Sequence, residues 1–154
     1  MKSDVAKALF RNGANCAQAV VGAYAEECGL EFDQAMRLAS SFGAGMGRLR
    51  EVCGAVSGML MVIGLKEGYC DLKCKASKDQ HYARVQALAA EFKGKTGSLI
   101  CRELLGLSKE ADAPVSEERT EEYYRKRPCA DLVGLAAQLV EEHLKAGSEK
   151  AKGE

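Results

Sequence analysis

Four cysteines stand where helices are expected to begin: Cys16 in NCAQAV, Cys53 in EVCGAVSG, Cys101 in SLICRELLG and Cys129 in RPCADL. The first turn of a helix carries unpaired N–H groups and a partial positive charge, so a sulfur placed there is more easily held as thiolate. Thiolate is the form that attacks disulfides, binds metals and holds iron–sulfur clusters. One such cysteine says little, because Cys is among the most buried residue types and often only fills space. Four of them, in four separate segments, form a candidate site. Their spacings of 37, 48 and 28 residues contain no CxxC, so they match neither zinc ribbons nor ferredoxin runs, and only the tertiary fold can bring them together.

The start signals differ in kind. Asn15-Cys16-Ala17-Gln18 reads as an N-cap with Gln at the third helical position, which makes Cys16 the first residue of its helix. Pro128 suits a first helical position because its missing N–H would be unpaired anyway, and Cys129 follows with Asp131 nearby. Ser98 is the candidate cap for a helix with Cys101 in its first turn. No cap precedes Cys53, and its placement rests on the apolar run that follows.

The elements that must hold these residues read as helical nearly throughout. The pattern predicts a short helix over Asp4–Phe10 and a second over Cys16–Cys28 ended by Gly29. A third covers Phe32–Phe42, and an apolar helix runs from Cys53 to about Lys66. Gly54 and Gly58, four apart on one face of that apolar helix, leave room for a neighbour, and its unbroken hydrophobicity places it at the centre. Between them SFGAGMGRLRE alternates glycine at 43, 45 and 47, which a helix interior tolerates poorly, so a tight loop is expected. Asp79–Lys93, a short turn at Cys101–Leu105 and Cys129–Leu144 complete the helices, with residues 108–127 as a charged loop and exposed helix. No strand-like alternation and no repeat is present. The expectation is an all-α, single-domain compact helical bundle with a buried central helix over residues 1–146, followed by a disordered C-terminal tail at 147–154.

At 154 residues one domain can bury roughly 68–70% of its unfolded surface and needs no disulfide to fold. Basic and acidic residues balance at 22 each, which argues against nucleic acid or an anionic membrane as a partner drawn by bulk charge. Lys7 and Arg11 interrupt any apolar core an export signal would need. The longest apolar stretch, Cys53–Leu65, is about 13 residues, short of the ~20 that span a membrane. Seven cysteines, an odd number without an export signal, point to a reducing, cytoplasmic setting where cysteines serve metal, catalysis or packing.

These residues resemble the family of redox-active proteins named for its C_GCAxxG_C_C cysteine pattern. The hallmark CGAxxG stands as Cys53-Gly54-Ala55-Val56-Ser57-Gly58, with NCAQAV before it and CRELLG and RPC after it. The likeness spans roughly residues 8–145 and includes FGAGMGR. It implies a small helical bacterial or archaeal protein with four redox-active cysteines, and a related module accompanies haem and an iron–sulfur site in split-Soret cytochromes. With N–H donors around each sulfur, the resemblance favours an iron–sulfur cluster on Cys16, Cys53, Cys101 and Cys129, passing single electrons to a redox partner protein. Zinc is the alternative on ligand chemistry and a dithiol/disulfide pair the alternative on redox chemistry; self-association is compatible with either.

Other residues carry less. FGAGMGR lacks the strand that a phosphate loop requires; its glycines are expected to let backbone approach the Cys53 helix start, with Arg48 and Arg50 adding positive charge. Cys70 and Cys74, four apart among lysines and on one face if that stretch is helical, lie outside the family pattern; a second thiol pair or a redox relay to the main site is the lesser reading, and an incidental pair in a lysine-rich connector the favoured one. Cys28, at a helix end, reads as inert core. His81 and His143 are the only histidines; His81 is weighed as a fifth ligand or a base, with an exposed surface histidine the favoured reading. No Ser/His/Asp set, carboxylate pair or nucleotide motif marks an enzyme with its own substrate.

Overall fold

The apolar run after Cys53 becomes the element around which the others assemble. In the computed structural model, which describes residues 1–108 and 111–153, it forms a helix from Gly54 to Glu67 that fully buries Ala55, Met59, Val62 and Ile63. In chain order the elements are α1 (Lys2–Arg11), α2 (Cys16–Tyr24), α3 (Phe32–Ala39), α4 (Gly43–Met46), α5 (Gly54–Glu67), α6 (Lys75–Thr96), α7 (Cys101–Leu104), α8 (Glu121–Lys126) and α9 (Cys129–Lys152). A 3₁₀ turn at Ser40–Phe42 joins α3 to α4. The fold is all-α and one domain. The sheet-like contact among the described residues is an isolated antiparallel bridge between Val52 and Ile100.

Small residues set the closest crossings. A Cβ on Gly58 would lie 2.8 Å from the Ala17 carbonyl and 3.0 Å from Val20 Cβ, so α5 and α2 touch almost backbone to backbone, as the Gly54/Gly58 spacing predicts. α9 packs against α5 and α2, and α1 lies across α9 and α2. Tyr24 reaches over this seam, its hydroxyl donating to the Ala137 carbonyl at 2.7 Å. From α6, Leu88 and Phe92 are buried. Among the described residues no helix is long and apolar enough to cross a membrane.

Several boundaries differ from the sequence expectation, each for a local reason. α2 ends at Tyr24, and the chain turns through residues 25–29 to a left-handed Gly29 at φ 70°. α6 begins at Lys75, with Cys74 as its N-cap, and stops at a left-handed Gly97. The last helix continues past Leu144 to Lys152, where an unpacked tail is expected from residue 147. Its exposed Glu149, Lys150, Ala151 and Lys152 are strong helix formers that extend a helix already nucleated by packing. Glu154 lies outside the described residues, as do Lys109 and Glu110 of the charged 108–127 segment. In that segment Thr120 caps α8, accepting from the Tyr123 N–H at 3.2 Å.

The glycine-rich loop has an unusual backbone. Ala44, Gly45, Met46, Gly47 and Arg48 all have positive φ, between 55° and 71°, and the Gly47 N–H donates to the Gly43 carbonyl at 2.9 Å. α4 is thus a single turn of left-handed helix. An L-residue pays roughly 1–2 kcal/mol for that conformation, and Ala44, Met46 and Arg48 all do so. The turn is tied to the segment that leads into Cys53, the Gly45 carbonyl accepting from the Glu51 N–H at 2.9 Å.

Candidate functional site

Each cysteine is set by its own local device. Asn15 and Gln18 form a complete capping box, the Asn15 side chain accepting from Gln18 N–H at 2.9 Å and the Gln18 side chain from Asn15 N–H at 3.0 Å. Cys16 is therefore the first residue of α2. Cys129 opens α9 directly after Pro128, which occupies the cap position. Cys53 caps α5, and Cys101 opens α7 after Ile100. Ser98 does not cap α7. Its hydroxyl accepts from the Ile100 N–H at 2.9 Å and binds the Glu103 carboxylate, bracing the turn before the helix.

Two chain segments then cross to pair Cys53 with Cys101. The Cys53 N–H donates to the Leu99 carbonyl at 2.8 Å, the Cys101 N–H to the Glu51 carbonyl at 2.6 Å and the Arg102 N–H to the Arg50 carbonyl at 3.2 Å. Short antiparallel pairing around the Val52–Ile100 bridge thus fixes two helix starts side by side. The glycine turn closes against them: a Cβ on Gly45 would lie 2.7 Å from both Arg50 Cα and Cys101 Cβ. Gly54 does the same on the other side, where a Cβ would lie 3.0 Å from Cys16 Cβ.

The result is one cavity of about 50 Å³ lined by all four cysteines. Cys16, Cys53, Cys101 and Cys129 are each buried, at 8, 4, 7 and 8% exposure. Arg50, Arg119 and Arg127 complete the cationic part of the lining, and among the described residues no carboxylate or histidine lines it. Arg50, itself only 4% exposed, directs Nη1 to Cys101 Sγ at 3.6 Å and Nε to the Asp112 carboxylate at 2.7 Å. Arg127 is held by Glu117 at 2.6 Å. Arg119 sits over the Phe10 and Tyr123 rings and donates to the Phe10 and Ala14 carbonyls. The acidic partners stand outside the lining, so the face turned to the sulfurs is that of the arginines. Arg48, expected beside Arg50, instead binds Asp112 and the Ala113 carbonyl away from the lining.

Charge on the sulfurs departs from the sequence expectation. A helix N-terminus contributes about 0.3–1 kcal/mol, less than the roughly 1.4 kcal/mol of one pKa unit, whereas burial of a thiolate costs more. Burial pushes Cys53 up to about 12 despite the Ala55 and Val56 N–H groups. It also raises Cys101 despite Arg50. The neighbouring Cys129 thiol, with burial, holds the Cys16 proton on, whereas Cys16 together with Arg127, Arg50 and Arg119 draws Cys129 below the ordinary thiol range. Three neutral thiols and one polarised thiol is the resting state that this environment favours.

Among the described residues the thiols at the cavity are those of Cys16, Cys53, Cys101 and Cys129, with Asn15 and Tyr123 as the neutral polar side chains beside them. As they stand, no three His, Cys, Asp or Glu side chains among the described residues converge closely enough to hold a single metal ion. The remaining thiols lie elsewhere: Cys28 is partly buried beyond α2, Cys70 is exposed, and Cys74 caps α6. His81 and His143 are both away from the cavity; His81 Nδ1 contacts Arg84 at 3.3 Å and His143 Nε2 binds Glu67 at 2.7 Å. The sequence reading did not single out Arg119, Tyr123 or Arg127. Arg127, two residues before Cys129 in RPC, is the one whose position in the chain signals its role.

Comparison with known families gives a match over residues 14–143 to the family model described as "Putative redox-active protein (C_GCAxxG_C_C)". The matched span contains all four pocket cysteines and the glycine turn. No curated protein and no solved structure matches the chain.

Proposed function

The chain belongs to the C_GCAxxG_C_C family of redox-active proteins, and on that premise we propose that Cys16, Cys53, Cys101 and Cys129 hold an iron–sulfur cluster through which the protein passes single electrons. The observation that carries this reading is the meeting of four cysteines, from four separate segments, at one cavity whose charged lining residues are arginines. Four thiolates around a cluster leave a net negative site, and arginines with helix-start N–H groups are the groups that stabilise it. Zinc is the alternative on ligand chemistry: a single ion needs all its sulfurs at about 2.3 Å, whereas the several irons of a cluster take ligands spread around a larger centre.

A second reading rests on one pair. Cys16 and Cys129 line the same cavity, Cys16 with its proton held and Cys129 the more acidic, an arrangement suited to a dithiol in which Cys129 attacks and Cys16 resolves. The metal content and visible spectrum of protein purified without oxygen separate the two. Stoichiometric iron and sulfide with a sulfur-to-iron charge-transfer band is the expected result. Zinc alone would replace the cluster by a structural site, and metal-free protein that remains metal-free after incubation with iron and sulfide would leave the dithiol.

A further inference from the structure

Two of the three cysteines outside the pocket, Cys70 and Cys74, have the opposite environment to the four within it. Cys70 is exposed, and Cys74 is only partly covered. Cys74 is the N-cap of the 22-residue α6, and its Sγ lies 3.1 Å from the Ser77 hydroxyl. Between the thiols the chain reverses: the Lys73 N–H donates to the Asp71 carboxylate at 3.0 Å and the Cys74 N–H to the Asp71 carbonyl at 3.2 Å. The two residues are therefore not on one face of a helix. Cys74 closes a tight turn that begins at Asp71, the residue after Cys70, a setting in which Cα atoms four residues apart can meet the ~7 Å limit of a disulfide. Lys73 and Lys75 adjoin Cys74 in sequence.

We propose that Cys70 and Cys74 form a second, surface redox site that exchanges with low-molecular-weight disulfides, with Cys74 as the attacking thiol and Cys70 as the resolving one. The Cys74 thiolate attacks one sulfur of the small disulfide, forming a mixed disulfide and releasing one small thiolate. The Cys70 thiolate then attacks Cys74 Sγ, closing the Cys70–Cys74 bond and releasing the second. Two protein thiols are oxidised and one small disulfide is reduced to two thiols, their protons passing from Cys70 and Cys74 to the released thiolates through solvent. The Ser77 hydroxyl and the Ser77 and Ala76 N–H groups hold Cys74 below the ordinary thiol range, which suits it to the first step. No metal and no pocket residue takes part.

Trypsin cleaves after Lys66, Lys73 and Lys75, so it places Cys70 in EGYCDLK and Cys74 in CK, and a bond between them appears as a linked peptide pair. The protein is treated with oxidised glutathione under nitrogen, the remaining thiols are alkylated, and the digest is read by mass spectrometry. The expected result is the linked pair, with two glutathione thiols released per bond formed. Cys70→Ser should instead retain glutathione on Cys74, and Cys74→Ser should lose most of the reaction at Cys70. Absence of the linked pair in the native protein, or an unmodified Cys74 in Cys70→Ser, would overturn the proposal. The peptides carrying the pocket cysteines are separate, so the answer does not depend on what the pocket binds.

Discussion

Cys53 and Cys129 show how one cavity imposes different chemistry on identical side chains. Both begin helices, yet burial keeps the Cys53 proton on, while the Cys16 thiol and three arginines draw Cys129 the other way. A cluster must therefore displace protons from at least Cys16, Cys53 and Cys101, and its assembly should release protons and strengthen as pH rises through the neutral range. Weakly buffered reconstitution followed by a pH electrode would check this; uptake without acidification would count against thiolate ligation. If the four act as ligands, Cys→Ser at position 16, 53, 101 or 129 should remove most of the iron, and Cys28→Ser should leave it in place. Comparable iron losses at Cys28 would contradict a four-cysteine site. Arg50→Gln removes the cation beside Cys101 and leaves Asp112 without its closest partner. It should cost on the order of 2 kcal/mol in denaturant unfolding and make the site harder to reduce, because added negative charge then goes uncompensated.

At the scale of elements, close backbone approaches hold the site. Gly58→Ala places a methyl group 2.8 Å from the Ala17 carbonyl and should destabilise by about 1–3 kcal/mol. Gly64→Ala, in the same helix with nothing within 4 Å of the added atom, should stabilise by about 0.5–1 kcal/mol. Equal effects in urea titrations of the two variants would refute the close α2–α5 crossing. These crossings, the Asn15 capping box and the helix start at Cys129 were legible in the sequence, because each depends on residues a few positions apart. The left-handed turn was not. Glycines at 43, 45 and 47 signal a loop, but that Ala44, Met46 and Arg48 share its handedness depends on contacts with Arg50, Glu51 and Cys101 from farther along the chain. The antiparallel pairing of residues 50–53 with 99–102 was equally hidden, since it joins segments nearly fifty residues apart without any strand-like pattern.

For the whole molecule, buried space and left-handed backbone meet at the cavity that the four cysteines line. That cavity makes the cluster-free protein sensitive to alkali. Cys53 is raised from 9.0 to about 12 in the folded state, so the unfolded chain ionises first. Its contribution is fully present below about pH 9 and falls away as pH rises toward 12, by up to roughly 1.4 kcal/mol per pH unit. The melting temperature of cluster-free protein should fall over that window, and a flat profile would contradict a buried neutral thiol. The electron count of the site tests the central claim most directly. In an equilibrium redox titration of oxygen-free protein followed by visible absorbance, a cluster passes one electron, so a tenfold change in the ratio of oxidised to reduced protein should span about 59 mV. A slope near 30 mV, with two thiols lost on oxidation and no iron-dependent band, would contradict the cluster and assign the redox chemistry to the Cys16–Cys129 pair.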